Sequence, residues 1–193
     1  MDMEEFEIKF LEVDVPELEK KLLSIGAKKV GEYDYSRTIF YSADTNMEKK
    51  KGWIRVRTDG RETTLAYKEN IKEKQEDGSM KNVGMKEIEV MVDDYEKTCQ
   101  LVKATGFLEN QKEKNRRIRY VKGEVVFDID FWPQIPTYLE IESSSFEKAK
   151  NAARELGFDP EIGIIGTAGT VYKKYGYNIN DYSSITFEGM IKK

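Results

Sequence analysis

The stretch Glu4-Glu5-Phe6-Glu7-Ile8-Lys9-Phe10 decides the fold. Side chains alternate across a β-strand with a period of two, so Phe6, Ile8 and Phe10 line one face and Glu5, Glu7 and Lys9 the other. A single strand of this kind is ordinary, because an antiparallel sheet with one wet face reads the same way. The pattern recurs. Lys86-Glu87-Ile88-Glu89-Val90 sets Glu87 and Glu89 on one face, and Tyr138-Leu139-Glu140-Ile141-Glu142 does so with Glu140 and Glu142. Each strand is followed by an amphipathic helical pattern that stops at glycine. Pro16 to Ile25 presents Leu18, Leu22 and Ile25 before Gly26. Asp93 to Thr105 presents Tyr95, Cys99, Leu101 and Val102 before Gly106. Ser145 to Leu156 presents Phe146, Ala149, Ala153 and Leu156 before Gly157. The spacing is irregular, so this is weak internal repetition and not a short-period array.

The 193 residues read most economically as one domain, 1–193, and 39% hydrophobic content supplies a real core. Charged residues reach 35%, above the usual quarter. Their signs nearly cancel, 32 basic against 36 acidic for a net charge of −4, which argues against nucleic acid or an anionic membrane as partner. No apolar run approaches a membrane span, and the first strand leaves no room for a signal-peptide core, so a cytoplasmic protein is expected. The chain has no histidine and one cysteine, Cys99. Ser-His and Cys-His nucleophilic machinery and all imidazole metal sites are thereby excluded, and Cys99 reads as a packed residue. A metal here would be held by carboxylate oxygens, which select Mg²⁺, Mn²⁺ or Ca²⁺.

Between the strands already quoted, Ala27–Glu32 and Tyr35–Ser42 look extended, with Arg37 a candidate inward charge. Asp44–Gly52 is a lysine-rich loop. Trp53–Thr58 and Arg61–Lys68 flank Asp59-Gly60, the strongest short hairpin signal. A two-residue turn there opposes Arg57 with Glu62 and Arg55 with Thr64. Arg55, Arg57, Thr64, Ala66 and Lys68 then share a face, with Ile54, Val56, Leu65 and Tyr67 on the other. Asn70–Gly84 lacks periodicity and reads as a long loop, either a lid or disordered. A second hairpin turning at Lys122-Gly123 opposes Arg119 with Val126, Arg117 with Asp128 and Asn115 with Asp130. Arg117, Arg119, Asp128 and Asp130 fall on its charged face, and a one-residue slip would turn Lys114 and Arg116 inward instead. Thr167–Tyr175 suggests a short helix, and Tyr177–Lys193 an extended stretch around Ile185–Phe187 with no chemical signature.

Charge thus collects on one face of strand after strand while the opposite faces stay apolar and three helices are available to cover them. A closed antiparallel barrel, helices outside and a polar lumen inside, uses both faces. Buried charge must be paired or bound to metal. Carboxylates facing arginines and lysines suit an anion carried by divalent cations, and polyphosphate with Mg²⁺ meets that description.

The ordered set Glu5-x-Glu7-x-Lys9, Arg55-x-Arg57, Lys68, Glu87-x-Glu89, Arg117, Asp130 and Glu140-x-Glu142 resembles the CYTH superfamily, the triphosphate tunnel metalloenzymes, over residues 4 to about 175. The resemblance implies an α+β fold with a closed eight-stranded antiparallel tunnel flanked by helices. It implies that Lys9, Arg55, Arg57, Lys68, Arg117 and Arg119 bind the triphosphate, with Lys9 catalytic beside the reacting phosphate. It implies Mg²⁺ or Mn²⁺ on Glu5, Glu7, Glu87, Glu89, Asp130, Glu140 and Glu142. Two departures stand out. Asn115 occupies a position often basic in the family, for which Lys114 or Arg116 could substitute in a bulged strand. The tyrosine that some triphosphatases pair with the first-strand lysine could be Tyr33, Tyr35 or Tyr41. The chemistry implied is displacement at phosphorus. Attack by water makes a triphosphatase acting on tripolyphosphate, ATP or thiamine triphosphate, which is the favoured reading. Attack by the ribose 3′-hydroxyl of ATP makes a class IV adenylyl cyclase releasing cyclic AMP and pyrophosphate, and a polyphosphate sensor without turnover is the remaining alternative. Trp53 and Trp132 could stack on an adenine, though packed aromatics are the plainer reading. The oligomeric state is not legible.

Overall fold

The computed structural model describes residues 3–42, 52–75 and 78–193. Among them are ten strands and four α-helices: β1 Met3–Leu11, α1 Val15–Ser24, β2 Lys28–Ser42, β3 Gly52–Thr58, β4 Thr63–Lys74, β5 Met80–Val92, α2 Tyr95–Ala104, β6 Phe107–Lys122, β7 Val125–Phe131, β8 Tyr138–Ser143, α3 Phe146–Glu155, α4 Ala168–Lys174, β9 Tyr182–Thr186 and β10 Gly189–Lys192. The α+β expectation holds, with two strands more than the eight of the expected barrel. The additional pair is the hairpin β9–β10, in a segment whose alternation is too short to announce itself.

The helices begin where side-chain oxygens can take orphan backbone donors. Asp14 accepts from Glu17 N–H and Asp94 from Lys97 N–H, each at 2.9 Å, and Ser145 from Lys148 N–H at 3.3 Å. These three helices end at Ser24, Ala104 and Glu155, each just ahead of its glycine and close to the expected bound.

The chain divides into two compact units, each discontinuous in sequence. One draws mainly on Asp34–Asn115 and Asn180–Lys193, the other on Glu5–Tyr33 and Arg116–Ile179. In the first unit the strand order is β10-β9-β6-β2-β3-β4-β5, antiparallel at β10–β9, β2–β3, β3–β4 and β4–β5, with a short parallel match of β9 to β6 at Lys112↔Ser184 and Glu113↔Ile185. Its core is Phe40, Val56, Cys99 and Val102, with Ile54, Leu65, Tyr95 and Phe107 packed against it. Cys99 is therefore a packed residue, as expected. In the second unit β1 pairs β8, β8 pairs β7 and β7 pairs Arg116–Lys122 of β6. The apolar faces of these strands, among them Ile8, Phe10, Ile118, Phe127, Ile129, Leu139 and Ile141, are covered by Leu18 and Leu22 of α1 and Ala149, Ala152 and Ala153 of α3. Phe6 meets Phe146 edge-on at 5.1 Å, and Phe10 stacks on Phe158 at 4.6 Å.

Both hairpin registers differ from expectation by two in the pairing sum, which moves partners without changing faces. The β3–β4 loop spans four residues, not two. Asp59 accepts the backbone N–H groups of Arg61 and Glu62 at 2.9 and 2.8 Å, so Arg57 opposes Thr64 and Arg55 opposes Ala66. The β6–β7 turn is Gly123-Glu124, with Gly123 at φ +59, the positive value a tight hairpin demands at its first turn position. Arg117 therefore opposes Asp130 and Arg119 opposes Asp128.

The expected loop at Asn70–Gly84 is a correction: β4 runs to Lys74 and β5 starts at Met80, paired as Asn70↔Met85, Ile71↔Gly84 and Glu73↔Lys81. Gln75 N–H donates to Ser79 O at 2.8 Å near the turn. Ladder hydrogen bonds hold this extension, and composition does not display them. The two extended stretches at 27–42 are one continuous strand, β2. The expected loop Asp44–Gly52 lies outside the described residues except for Gly52, which opens β3. Among the described residues no helix is long and apolar enough to cross a membrane.

Candidate functional site

In the second unit the charged residues of β1, β6, β7 and β8 interlock. Alternation places Glu7 and Lys9 on the face opposite Ile8, and the β1–β8 register sets Lys9 against Glu140 and Glu7 against Glu142. The Lys9 ammonium, 1% exposed, lies 2.7 Å from Glu7 Oε1 and 3.0 Å from Glu140 Oε2. A short bridge fixes its backbone, Lys9 N–H donating to Ile164 O and Ile164 N–H to Lys9 O, both at 2.9 Å. Burial pulls the proton affinity of Lys9 down, but Glu140 and Glu7 overcome that and leave it above the ordinary lysine range. It is a fixed cation, not a base.

Arg117 is the hub of this cluster. Its Nε and Nη2 donate to the two oxygens of Asp130 at 2.8 and 2.6 Å, Nη1 to Asp128 at 2.5 Å, and Nη2 to Glu140 at 3.5 Å. Arg119 grips Asp128 in the same forked manner at 2.8 and 2.7 Å. Glu7, Asp128, Asp130, Glu140 and Glu142 thus face Lys9, Arg117 and Arg119, two more carboxylates than cations. The surplus appears at Glu142. Burial first, then the charges of Glu140, Asp128 and Glu7, push its carboxyl up to about 7, against the opposing pull of Arg119. Asp130 is raised as well, chiefly by burial.

The first unit carries the opposite balance. Arg55 Nη2 donates to Glu87 Oε1 and Glu89 Oε2, each at 2.8 Å, Lys68 Nζ to Glu87 Oε2 at 2.5 Å, and Arg57 Nη2 to Glu89 Oε2 at 3.4 Å. The Arg57 guanidinium sits 4.7 Å from the centroid of the Tyr35 ring, a cation–π contact. Burial, and then Arg55 and Arg37, lower Arg57 to about 10. The part of that depression owed to Arg55 and Arg37, second to burial, is positive potential that an anion would relieve.

Most of the residues singled out from the sequence fall into these two groups. Glu7, Lys9, Arg117, Arg119, Asp130, Glu140 and Glu142 lie together in one, and Arg55, Arg57, Lys68, Glu87 and Glu89 in the other. The Glu5 side chain lies outside the described residues. Lys114 and Arg116 are about half exposed and pair with Glu188 and Glu32, so β6 is not bulged in the way that would turn them inward. Tyr35 is buried against Arg57, and Trp132 packs edge-on to Tyr172 at 6.0 Å. Sequence reasoning left Asp128 and Arg37 out of the ligand set and missed Glu113. All three are buried, and strand parity held the signal: 113 and 115 share the face of 117, and 37 that of 35.

Among the described residues no three carboxylates converge as a ready-made metal site; Lys and Arg hold them instead. The donors are nevertheless hard oxygens, two more carboxylates than cations, and the neighbouring carboxylates add to burial in raising Glu142. This donor set fits Mg²⁺ or Mn²⁺ and no softer metal.

The CYTH domain model matches residues 3–168. No match was found among curated proteins. Similar solved structures include the PH1012 protein of Pyrococcus horikoshii OT3 (23% identity, 83% of this chain and 94% of that one, TM-score 0.66). Another is a candidate adenylate cyclase of Vibrio parahaemolyticus (10% identity, 90% and 99%, TM-score 0.71). A third is the candidate adenylyl cyclase HpAC1 of Hippeastrum, described as having a dominant triphosphatase activity (14% identity, 90% and 96%, TM-score 0.59). At these identities the structural likeness speaks for the fold alone.

Proposed function

This chain belongs to the CYTH domain family, and from that premise we propose a divalent-metal-dependent triphosphatase that hydrolyses an inorganic or organic triphosphate. The observation that carries the reading is the sorting of buried charge: two carboxylates in excess around Arg117, and crowded cations around Arg57. Carboxylates in excess suit a divalent cation, and crowded guanidiniums suit a polyanion.

The reading takes residues 1–193 as one domain in the cytoplasm, with its strands closed as an eight-stranded tunnel around a polar lumen. Arg55, Arg57 and Lys68 bind phosphoryl oxygens, the two arginines as forks and Lys68 as a point charge. Arg117 and Arg119 also bind them, oriented by Asp128, which accepts from both. Glu5, Glu7, Glu140 and Glu142, with Glu87, Glu89 and Asp130, hold Mg²⁺ or Mn²⁺. Asp130, whose two oxygens accept from Arg117, would exchange one of these bonds for the ion. A bound divalent ion polarises phosphoryl oxygens and neutralises charge developing in the transition state. Lys9, charged throughout, stabilises the phosphoryl group under attack. Water attacks phosphorus, the bridging P–O bond breaks, and tripolyphosphate yields orthophosphate and pyrophosphate.

The test incubates the purified protein with Mg²⁺ or Mn²⁺ and tripolyphosphate, ATP or thiamine triphosphate, with Glu7→Gln as control, and separates products by ion exchange. Orthophosphate that disappears in the variant supports the proposal. Cyclic AMP and pyrophosphate from ATP would make the protein a cyclase, and tight binding with no product a sensor.

A further inference from the structure

Arg37 stands directly opposite Arg57 in the register of β2 against β3. Directly opposed residues of an antiparallel pair share a face, and like charges placed there repel. Water screens them little: Arg37 is 9% exposed, the Arg57 side chain 16%, and the Tyr35 ring lies against both guanidiniums, 5.8 Å from Arg37 and 4.7 Å from Arg57. Arg55 is the next residue along the same face of β3. Three guanidiniums therefore crowd one face of two neighbouring strands; Glu89 is shared by Arg55 and Arg57, and a polyanion reaching all three guanidiniums would relieve the repulsion that is left.

Arg37 is also aimed. Its Nη2 donates to Asn115 Oδ1, and its Nε lies 3.9 Å from Glu113 Oε2, both residues on β6. Burial raises the carboxyl of Glu113 above the ordinary range, against the opposing pull of Arg37 and Arg55. A neutral amide in direct hydrogen bond and a more distant carboxylate thus set the direction of the guanidinium.

We propose that Arg37 is a further binding residue for the polyanion, forming with Arg55 and Arg57 a clamp of three guanidiniums, with Asn115 as its positioning residue. The proposal rests on the triphosphate reading above. It assigns a task to a side chain outside the Arg55-x-Arg57 pair, and it gives the asparagine at 115 a reason: a second cation there would crowd the one that β2 already supplies.

Calorimetric titration of tripolyphosphate with Mg²⁺ tests it on the wild type, Arg37→Gln and the double variant Arg37→Gln/Asn115→Lys. Glutamine keeps a donor for Asn115 and removes the charge. Affinity should fall about 10- to 100-fold in Arg37→Gln, the scale of one charge-assisted hydrogen bond, and return most of the way in the double variant, which puts a cation back beside the same position. Unchanged affinity in Arg37→Gln overturns the proposal, and so does a loss that Asn115→Lys fails to restore, because that marks a purely structural role. If Arg37→Gln does not fold, Arg37→Lys replaces it; a several-fold loss is expected from losing the fork, and unchanged affinity overturns the proposal. A wild type that binds no tripolyphosphate overturns the triphosphate reading itself, an outcome separate from any effect at Arg37.

Discussion

Lys9 and Glu140 face each other directly across β1 and β8, with ammonium and carboxylate 3.0 Å apart in a setting almost closed to water. Removing one partner of a buried pair leaves the other uncompensated, typically at a cost of about 3–5 kcal/mol. Lys9→Met should therefore lose that order of stability without metal, abolish hydrolysis, and recover part of the stability in Mg²⁺. Urea unfolding with and without Mg²⁺ reads this out. Equal stability of variant and wild type without metal would show that Lys9 does not balance Glu7 and Glu140.

Glu142 gives a pH dependence with a definite sign. Its carboxyl is pushed up to about 7 in the folded protein, so the folded chain holds that proton more tightly than the unfolded chain does. The group's contribution to stability falls as pH rises from about 4.5 to 7 and is level above. Glu142→Gln should gain melting temperature over the wild type progressively across that window, in metal-free buffer. A difference that does not vary with pH would contradict the assignment.

Arg57 predicts opposite effects with and without ligand. Crowded by Arg55 and Arg37, it costs the free protein something, so Arg57→Gln should leave the unliganded melting temperature unchanged or raised. Tripolyphosphate at about 100 times its Kd should stabilise the wild type by about 2.7 kcal/mol and the variant by much less. Scanning fluorimetry decides this, and an equal ligand-induced gain in both proteins would remove Arg57 from the binding set.

Gly163 precedes the residue that bridges to Lys9. A methyl group there would fall 2.3 Å from Cδ1 of Ile8, a residue 1% exposed, and 3.1 Å from the backbone oxygen of Pro160. Gly163→Ala should cost about 1–3 kcal/mol, as overpacking does, and should loosen the Lys9–Ile164 bridge. Faster exchange of the Lys9 amide in the variant is the diagnostic measurement.

The period-two pattern by itself assigns Glu7, Lys9, Glu140 and Glu142 to charged strand faces, and caps and glycines bound the helices within about a residue or two. Faces survive even where registers move, because both hairpins shift by an even number. Less legible is everything that rests on the backbone alone. The β4–β5 extension through Lys74 and Met80 is paired by ladder bonds among charged residues that show no alternation, and β9–β10 is too short to carry a period. Asp128 and Glu113 lie in segments whose alternation is plain, yet the family pattern draws attention to their neighbours instead. How tightly Arg117 and Arg119 occupy Asp128 and Asp130 is not readable from spacing, since a fork depends on three-dimensional aim.

The two units interleave along the chain: residues 180–193 belong to the same unit as 34–115, while 116–179 belong to the other. Emergence from the ribosome runs from the N-terminus, so the Lys112↔Ser184 match must wait for a segment far downstream of its partner. The unit that carries Arg55 and Arg57 is thus the one whose sheet is finished last, and pairings of such long sequence separation form slowly. No single cut can release either unit whole. Insertions, fusions and recombination breakpoints are therefore tolerable at the surface turns between strands, but not as a boundary that divides this protein into two independently inherited modules.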